Sequence, residues 1–390
     1  MKSILFYIAR YPGYGGIENI TTLLANHLSL KNQVSILSCT QQDEKLLLKQ
    51  LDARVRFYKI PNEANIEAKE NQIFFNDIIT NNKIDTIIYQ DSYYPNEKLL
   101  LNIINRDFIN IICAEHSTPD NGIKTFIYAL KKTPWFNLYI KLKICYFHGI
   151  GLIKSKKRKR ILYNFCNKYI VLSQGYIPIF LKLNNIKNSH KIKAIENPIS
   201  IPILENVPPK ENICLFVGRF SPEKGILNLL KIWKEIEKDI TLNEWKLVMV
   251  GDGQEKNTIK NYIKENNLKR IQLEGFKTDI TPYYKKASIL CMTSIFEGFP
   301  LTLPEAMGNG VVPIAFNSFA AISDIINHKI NGIIIPPNNT SLYIQNLKEV
   351  IRNNDERKKL AEAALHKAKD FSQERIFNKW NAIINNSEKP

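Results

Sequence analysis

The stretch NPISIPILENVPPKENICLFVGRFSPEKGILNLLKIWKEIEKDI (197–240) decides the fold. Its first part holds Pro198, Pro202, Pro208 and Pro209 without a sustained apolar period, which reads as a linker at 198–212. An apolar run, ICLFV, follows and ends in a turn of Gly, Pro and charged residues. Leu227, Leu230, Ile232 and Ile236 then recur at helical spacing. Strand, turn and amphipathic helix open a βα unit. A strand apolar throughout is buried on both faces, as in a parallel sheet.

The same grammar repeats on both sides of the linker. Before it come ILFYIA (4–9), a helical IENITTLLANHL (17–28), QVSILS (33–38), VRFYKI (55–60), IDTIIYQ (84–90), FINIICAE (108–115) and KYIVLS (168–173). After it come WKLVMVGDG (245–253), IQLEGF (271–276), SILCMTS (288–294), VVPIAF (311–316) and GIIIPP (332–337). A charged helical stretch (341–370) and an amphipathic FSQERIFNKWNAIINN (371–386) close the chain. The fold class is therefore α/β, with two Rossmann-like doubly wound domains facing a central cleft. The expected division is 1–197, the linker 198–212, 213–370, and a terminal helix in 371–390 that crosses back to the first domain. The total of 390 residues suits two domains. Ligands of such sheets bind outside the carboxyl ends of the strands.

Composition narrows the function classes. Apolar residues make up 44%, enough for real cores and against a mainly disordered chain. No run of about 18 apolar residues is free of charge, which predicts no transmembrane helix. The start, MKSILFYIARYPGYGG, continues as a core strand and lacks a small-residue cleavage site, so it does not read as a signal peptide. Six scattered cysteines form no CxxC pair, which fits free thiols in a reducing cytosol rather than a zinc site. The formal charge is +17, and no Asp or Glu occurs from 121 to 195. That stretch holds Lys131, Lys132, Lys141, Lys143 and KSKKRKR (154–160), interleaved with Phe126, Tyr128, Trp135, Phe136, Tyr139, Tyr146 and Phe147. Three readings stand for this basic segment (124–168): contact with an anionic membrane, a solvated helical face, or nucleic-acid binding.

Several strand-end loops carry chemistry. YPGYGGIE (11–18) follows the first strand, and Gly13, Gly15 and Gly16 permit close backbone approach to a phosphate or sugar, or only a tight turn. It matches neither the dinucleotide fingerprint nor a P-loop. IICAEHSTP (111–119) places Glu115 and His116 at another strand end. In VGRFSPEKG (217–225), Arg219 and Lys224 share one turn and suit a diphosphate, Arg as a fork and Lys as a point charge. Ser221 is expected to cap a helix there, with Pro222 in its first turn. EGFPLTLPE (297–305) sets Glu297 and Glu305 on either side of an apolar run. With a helix starting near Phe299 and Pro300, the two carboxylates span at most about 12 Å, similar to the reach of a nucleotide sugar between its ribose and its sugar.

Taken together, these stretches resemble family 4 of the retaining glycosyltransferases, which have the GT-B fold. EGFPLTLPEAMGNGVVPIAF (297–316) resembles the family's E-x7-E motif. GGIE, a His after a mid-domain strand, VGRFSPEKG, VMVGDG, LEGF and a terminal helix occur in the family's order, so the resemblance covers nearly the whole chain. It implies that Glu297 stands beside the donor sugar and that Glu305 holds the ribose. It implies Arg219 and Lys224 on the diphosphate, Gly15 and Gly16 in the glycine loop near it, and Gly298, Phe299, Leu301 and Thr302 against sugar and phosphate. His116 would sit by the reaction centre. Pro304, and Asn309–Gly310 after Gly308, depart from the family's usual residues. No D-x-D metal signature is present, and the family needs no metal ion for chemistry.

The resemblance implies a cytoplasmic enzyme, peripheral on the membrane, serving capsule, O-antigen or lipopolysaccharide synthesis. It would move a sugar from a UDP- or GDP-linked donor to a glycan or lipid-linked saccharide. Two other readings differ in class: a nucleotide-sugar epimerase on the same scaffold, and a non-enzymatic nucleic-acid-binding protein that rests on charge alone.

Overall fold

The computed structural model describes residues 1–13, 15–41, 49–91, 96–133, 137–187 and 190–385. The chain forms two compact units, 1–197 with 376–390, and 198–375. In the first unit β1 (Ser3–Arg10), β2 (Gln33–Thr40), β3 (Val55–Lys59), β4 (Thr86–Asp91), β5 (Asn110–Glu115), β6 (Lys168–Val171) and β7 (Ile192–Ala194) form one sheet. Its order is β3-β2-β1-β4-β5-β6-β7, with every pairing parallel. The second unit holds β8 (Ile213–Val217), β9 (Lys246–Val250), β10 (Ile271–Gly275), β11 (Ile289–Met292), β12 (Val312–Phe316) and β13 (Ile333–Ile335). Their order is β10-β9-β8-β11-β12-β13, again parallel throughout. In each sheet the order reverses beside the first strand, at β1/β4 and at β8/β11. That is the doubly wound pattern, with a crevice at the switch point.

The strands read as apolar runs because helices cover both faces. Ile4, Phe6 and Ile8 pack with Leu24 and Leu28 of helix Gly16–Leu28. The same core takes Ile376, Phe377, Trp380 and Ile384 of helix Gln373–Asn385. On the other face the Tyr7 ring packs at a tilt against Phe75 and Tyr89. In the second unit Ile226, Leu229, Leu230, Trp233 and Ile236 of helix Ile226–Glu237 join Phe216, Met249 and Ile314 in one core. The terminal charged stretch is two helices, Thr340–Arg352 and Asn354–Ala368, each started by an Asn side chain that caps a backbone N–H.

The basic segment folds as helices Asn121–Lys132 and Leu138–Phe165. Trp135 and Phe136, and the side chains of Lys131 and Lys132, lie outside the described residues. Its charge is not all on the surface. Arg158 pairs with Glu97 at 2.8 Å and donates to the Tyr89 hydroxyl. Lys159 is buried and pairs with Glu115, which also accepts from Tyr169. Lys154, Lys156, Lys157 and Arg160 face outward, as do the exposed Tyr139, Leu142, Tyr146 and Ile153. No described helix is long and apolar enough to cross a membrane. Among the described residues no cluster of His, Cys, Asp or Glu is arranged to hold a metal ion. Every cysteine is a free thiol, and Cys145 is the exposed one.

Candidate functional site

Loops leaving the carboxyl ends of β8, β9 and β11 build the site in the second unit. Gly218 donates its N–H to Val250, and Phe220 donates to Asp252, so the loops after β8 and β9 are laced together. They approach so closely that a Cβ on Gly251 would lie 1.9 Å from the Gly218 carbonyl oxygen. Pro222–Lys224 is a single 3-10 turn, not the start of an α-helix. Ser221 makes no capping bond; its hydroxyl donates to the Glu223 carboxylate at 2.6 Å. Gly225, at φ +63, ends the turn against the Thr293 carbonyl, and a Cβ there would lie 2.2 Å from that oxygen. This is a position only glycine fills without strain.

The β11 loop is zipped onto that turn. Ile295 donates its N–H to the Glu223 carbonyl at 2.7 Å, and the Thr293 hydroxyl donates to the Gly225 carbonyl at 3.1 Å. Lys224 then reaches across and places Nζ 2.6 Å from Oε1 of Glu297. The Ser294 hydroxyl donates to the same oxygen at 2.7 Å. Both partners of the ion pair are largely shielded from solvent. Arg219, on the same turn as Lys224, is exposed, and its guanidinium has no ion pair or hydrogen bond among the described residues. The structure thus brings Lys224 and Glu297 into direct contact at the β8/β11 switch point, with Arg219 on the same loop.

Glu305 is elsewhere in chemical terms. The helix starts at Thr302, not near Phe299, and spans only Thr302–Met307. Residues 297–301 are not helical, so the axial spacing expected for the two carboxylates does not apply. Glu305 lies in the first turn, and Pro304 is tolerated beside it because a first-turn N–H has no intrahelical partner. Its carboxylate is buried and unpaired with any cation among the described residues. Oε1 accepts from Ser200 at 2.5 Å and Oε2 from Tyr284 at 3.2 Å. Desolvation pushes its pKa up to about 7. Gly298 and Leu301 are half-buried, Thr302 opens the helix, and Phe299 packs on Phe371 with ring centres 5.6 Å apart.

The burial of Glu305 has a measurable pH signature. A carboxyl whose folded pKa exceeds its unfolded value contributes most at low pH, and its contribution is lost as pH rises through the folded value. Relative to Glu305→Gln, the wild type is expected to lose about 3 kcal/mol between pH 4.5 and 8, from a shift of 4.5 to about 7. Urea unfolding of both proteins at pH 5 and pH 8 reads it; parallel profiles would mean that Glu305 is ionised at its ordinary pKa.

Gly15, Gly16 and His116 belong to the first unit. Gly15 precedes helix Gly16–Leu28, and the Glu18 carboxylate folds back over it. A Cβ on Gly16 would meet nothing within 4 Å among the described residues, which leave that side open. Tyr14 of the glycine stretch lies outside the described residues. His116 follows β5 and borders a cavity of about 680 Å³ under helix Leu138–Phe165, together with His148, Leu152 and Arg158. Its Nε2 faces the Gln90 side-chain oxygen, and its buried Nδ1 has no hydrogen-bond partner among the described residues. Burial lowers its pKa to about 4, so the ring is neutral at pH 7. With Nε2–H donating to Gln90, Nδ1 is left as an acceptor.

Comparison with known proteins gives this geometry a chemical context. Residues 203–367, most of the second unit, match the family model described as glycosyl transferases group 1. The amylovoran biosynthesis glycosyltransferase AmsD of Erwinia amylovora is 29% identical over 284 residues, covering 70% of this chain and 79% of AmsD. A Campylobacter jejuni alpha-1,4-N-acetyl-D-galactosaminyltransferase that acts on a diphosphoundecaprenol-linked saccharide is 25% identical, with 98% of each chain covered. Among solved structures, HepE from Anabaena in complex with UDP superposes with a TM-score of 0.72 at 17% identity, over 98% of this chain and 99% of that one. The architecture is therefore that of the two-domain GT-B-like glycosyltransferases. The family match and the relatives together support glycosyl transfer as the activity.

Proposed function

We propose that this chain is a retaining glycosyltransferase of family 4 that moves a sugar from a nucleoside-diphosphate sugar to a glycan or lipid-linked saccharide, in assembly of a bacterial surface polysaccharide. The observation that carries the proposal is the Lys224–Glu297 contact at the β8/β11 switch point, with Arg219 exposed on the same loop. Charge grows on the leaving diphosphate as the glycosidic bond breaks. Lys224, held by Glu297, and the exposed Arg219 on the same loop stabilise that charge as cations, and preorganised electrostatics commonly supply the largest catalytic term. Glu297 faces the sugar end of the donor, where Gly298 to Thr302 form the wall. Glu305 holds the ribose by exchanging its Ser200 hydroxyl for a ribose hydroxyl. Within the first unit, Gly16 leaves one side open to a phosphate or sugar oxygen, and His116 offers its neutral ring nitrogen to a hydroxyl.

The outward cations 154, 156, 157 and 160, with the exposed aromatic and aliphatic side chains of their helix, favour the cytoplasmic face of a membrane over nucleic acid. Anionic lipid attracts such a mixed face, whereas the apolar members contribute nothing to a phosphate backbone. The test is a screen of UDP- and GDP-sugars for thermal stabilisation and slow hydrolysis, followed by NMR of the released sugar or glycoside. Retention of the donor's anomeric configuration is expected. An isomerised nucleotide sugar formed without acceptor, or an inverted product, would overturn the proposal.

A further inference from the structure

The linker is bonded along the short helix that carries Glu305. Ser200 donates to the Glu305 carboxylate, and the Leu204 N–H donates to the Gly308 carbonyl at 2.9 Å. Lys210 closes the row. Its side chain is half-buried, and Nζ donates to three carbonyl oxygens, of Asn309 at 2.6 Å, Tyr284 at 3.0 Å and Lys285 at 3.1 Å. Tyr284 and Lys285 lie in the last turn of helix Thr281–Lys286, and Asn309 follows helix Thr302–Met307. Carbonyls at a helix end lack an intrahelical donor, and an ammonium has three donors to give. One cation thus joins the ends of two helices. Two of the residues it clamps also hold Glu305 through their own side chains. The Tyr284 hydroxyl donates to Oε2 at 3.2 Å, and the Asn309 amide donates to the Glu305 carbonyl at 2.9 Å. Both residues are fully buried.

We infer that Lys210 is a positioning residue that fixes the Glu305 carboxylate for ribose hydroxyls by clamping the two helices that hold it. Without the ammonium, three carbonyls lose a charged donor, and the helix ends separate to let water reach them. Tyr284 and Asn309 move with those ends. The Tyr284 bond to Oε2 is long for a hydroxyl donor, so a small separation breaks it. The carboxylate then loses its fixed direction, and the loss falls on the ribose end of a nucleotide. The cations proposed for the phosphates, Arg219 and Lys224, sit on the loop after β8 and share none of these bonds. The inference rests on the proposed ribose role of Glu305 and names a linker residue that the sequence reading did not single out.

The experiment measures, by calorimetry, the affinity of whichever of UDP and GDP binds, against its own 2′,3′-dideoxy analogue. In wild type the ribonucleotide is expected to bind more tightly, and Glu305→Gln should cut that preference about tenfold, as loss of a hydrogen bond to a charged group does. Lys210→Met is expected to cut it about fivefold, with the affinity for the dideoxy analogue within about twofold of wild type. The double variant Lys210→Met/Glu305→Gln should show the same ratio as Glu305→Gln, because the lysine acts through the glutamate. A ratio lower still in the double variant would give Lys210 a separate route to the ribose and overturn the inference. So would a parallel fall in both affinities with the ratio unchanged, which is what a merely structural clamp produces. Should Lys210→Met fail to fold, Lys210→Gln, with two donors on a shorter stem, is measured in its place, and a wild-type ratio there overturns the inference equally. An unchanged ratio in Glu305→Gln would instead overturn the ribose assignment itself.

Discussion

Lys224→Ala is expected to lower kcat/KM for turnover of the donor sugar by at least about a hundredfold while leaving the protein folded. The magnitude follows from removing one preorganised cation opposite a developing phosphate charge, which typically costs about 3 kcal/mol or more in the transition state. The local cost is confined. Lys224 sits on a 3-10 turn whose backbone is held by Gly225, Thr293 and Ile295, none of which depends on the ammonium. Glu297 keeps its bond from Ser294. Lys224→Arg should rescue only partly, because a rigid planar fork does not fit where a point charge bridges a carboxylate and a neighbouring anion. Steady-state assays beside circular dichroism separate the two effects. Wild-type kcat/KM in the alanine variant would reduce the Lys224–Glu297 contact to an ordinary ion pair, and the donor site would have to be sought away from the β8/β11 loops.

The apolar strands were legible because burial on both faces leaves a continuous signature in the sequence, and five such runs after the linker are strands of the second sheet; the sixth, β10, lies at the sheet edge with no buried residue. β7 escaped notice because it is three residues long, with Lys193 at its centre and Lys191 just before it. The basic segment was read as a helical face without bounds for its helices, Asn121–Lys132 and Leu138–Phe165. In Leu138–Phe165 exposed apolar residues blur the amphipathic period that a helix on a core would show. Side-chain partners were the least legible. Arg158 and Lys159 read as surface charge until Glu97 and Glu115 arrive from other elements. The start expected for the helix of Glu305 failed because a Pro signal near 300 competes with a second at 304, and the chain delays the helix to Thr302. Glu305 takes one of its hydrogen bonds from Ser200, far away in the sequence. Lys224 and Glu297 could be paired from sequence only through strand order, since β8 and β11 become neighbours at the point where the sheet reverses.

Gly251→Ala should be the most damaging single methyl group in the second unit. Gly251 has φ +148, a conformation that a side chain strains, and its Cβ would lie 1.9 Å from the Gly218 carbonyl oxygen and 3.3 Å from the Phe220 ring. The obstacle is backbone, so no rotamer change relieves it. Either the loop after β8 moves away from the loop after β9, or the strain is kept. The first route breaks the Gly218-to-Val250 and Phe220-to-Asp252 hydrogen bonds and shifts Arg219 and Lys224 with them. The second costs on the order of 3 kcal/mol for a backbone clash and a disfavoured dihedral. For a unit of this size that corresponds to a fall in Tm of roughly 6–12 °C. Calorimetry should show it in the transition of the second unit, and nucleotide affinity should fall with it because the cations travel with the displaced loop. Gly16→Ala is the matched control, since its Cβ meets nothing within 4 Å and the fold should not register it. Equal Tm values for Gly251→Ala and wild type would show that the β8 and β9 loops do not press on each other as tightly as their hydrogen bonds require.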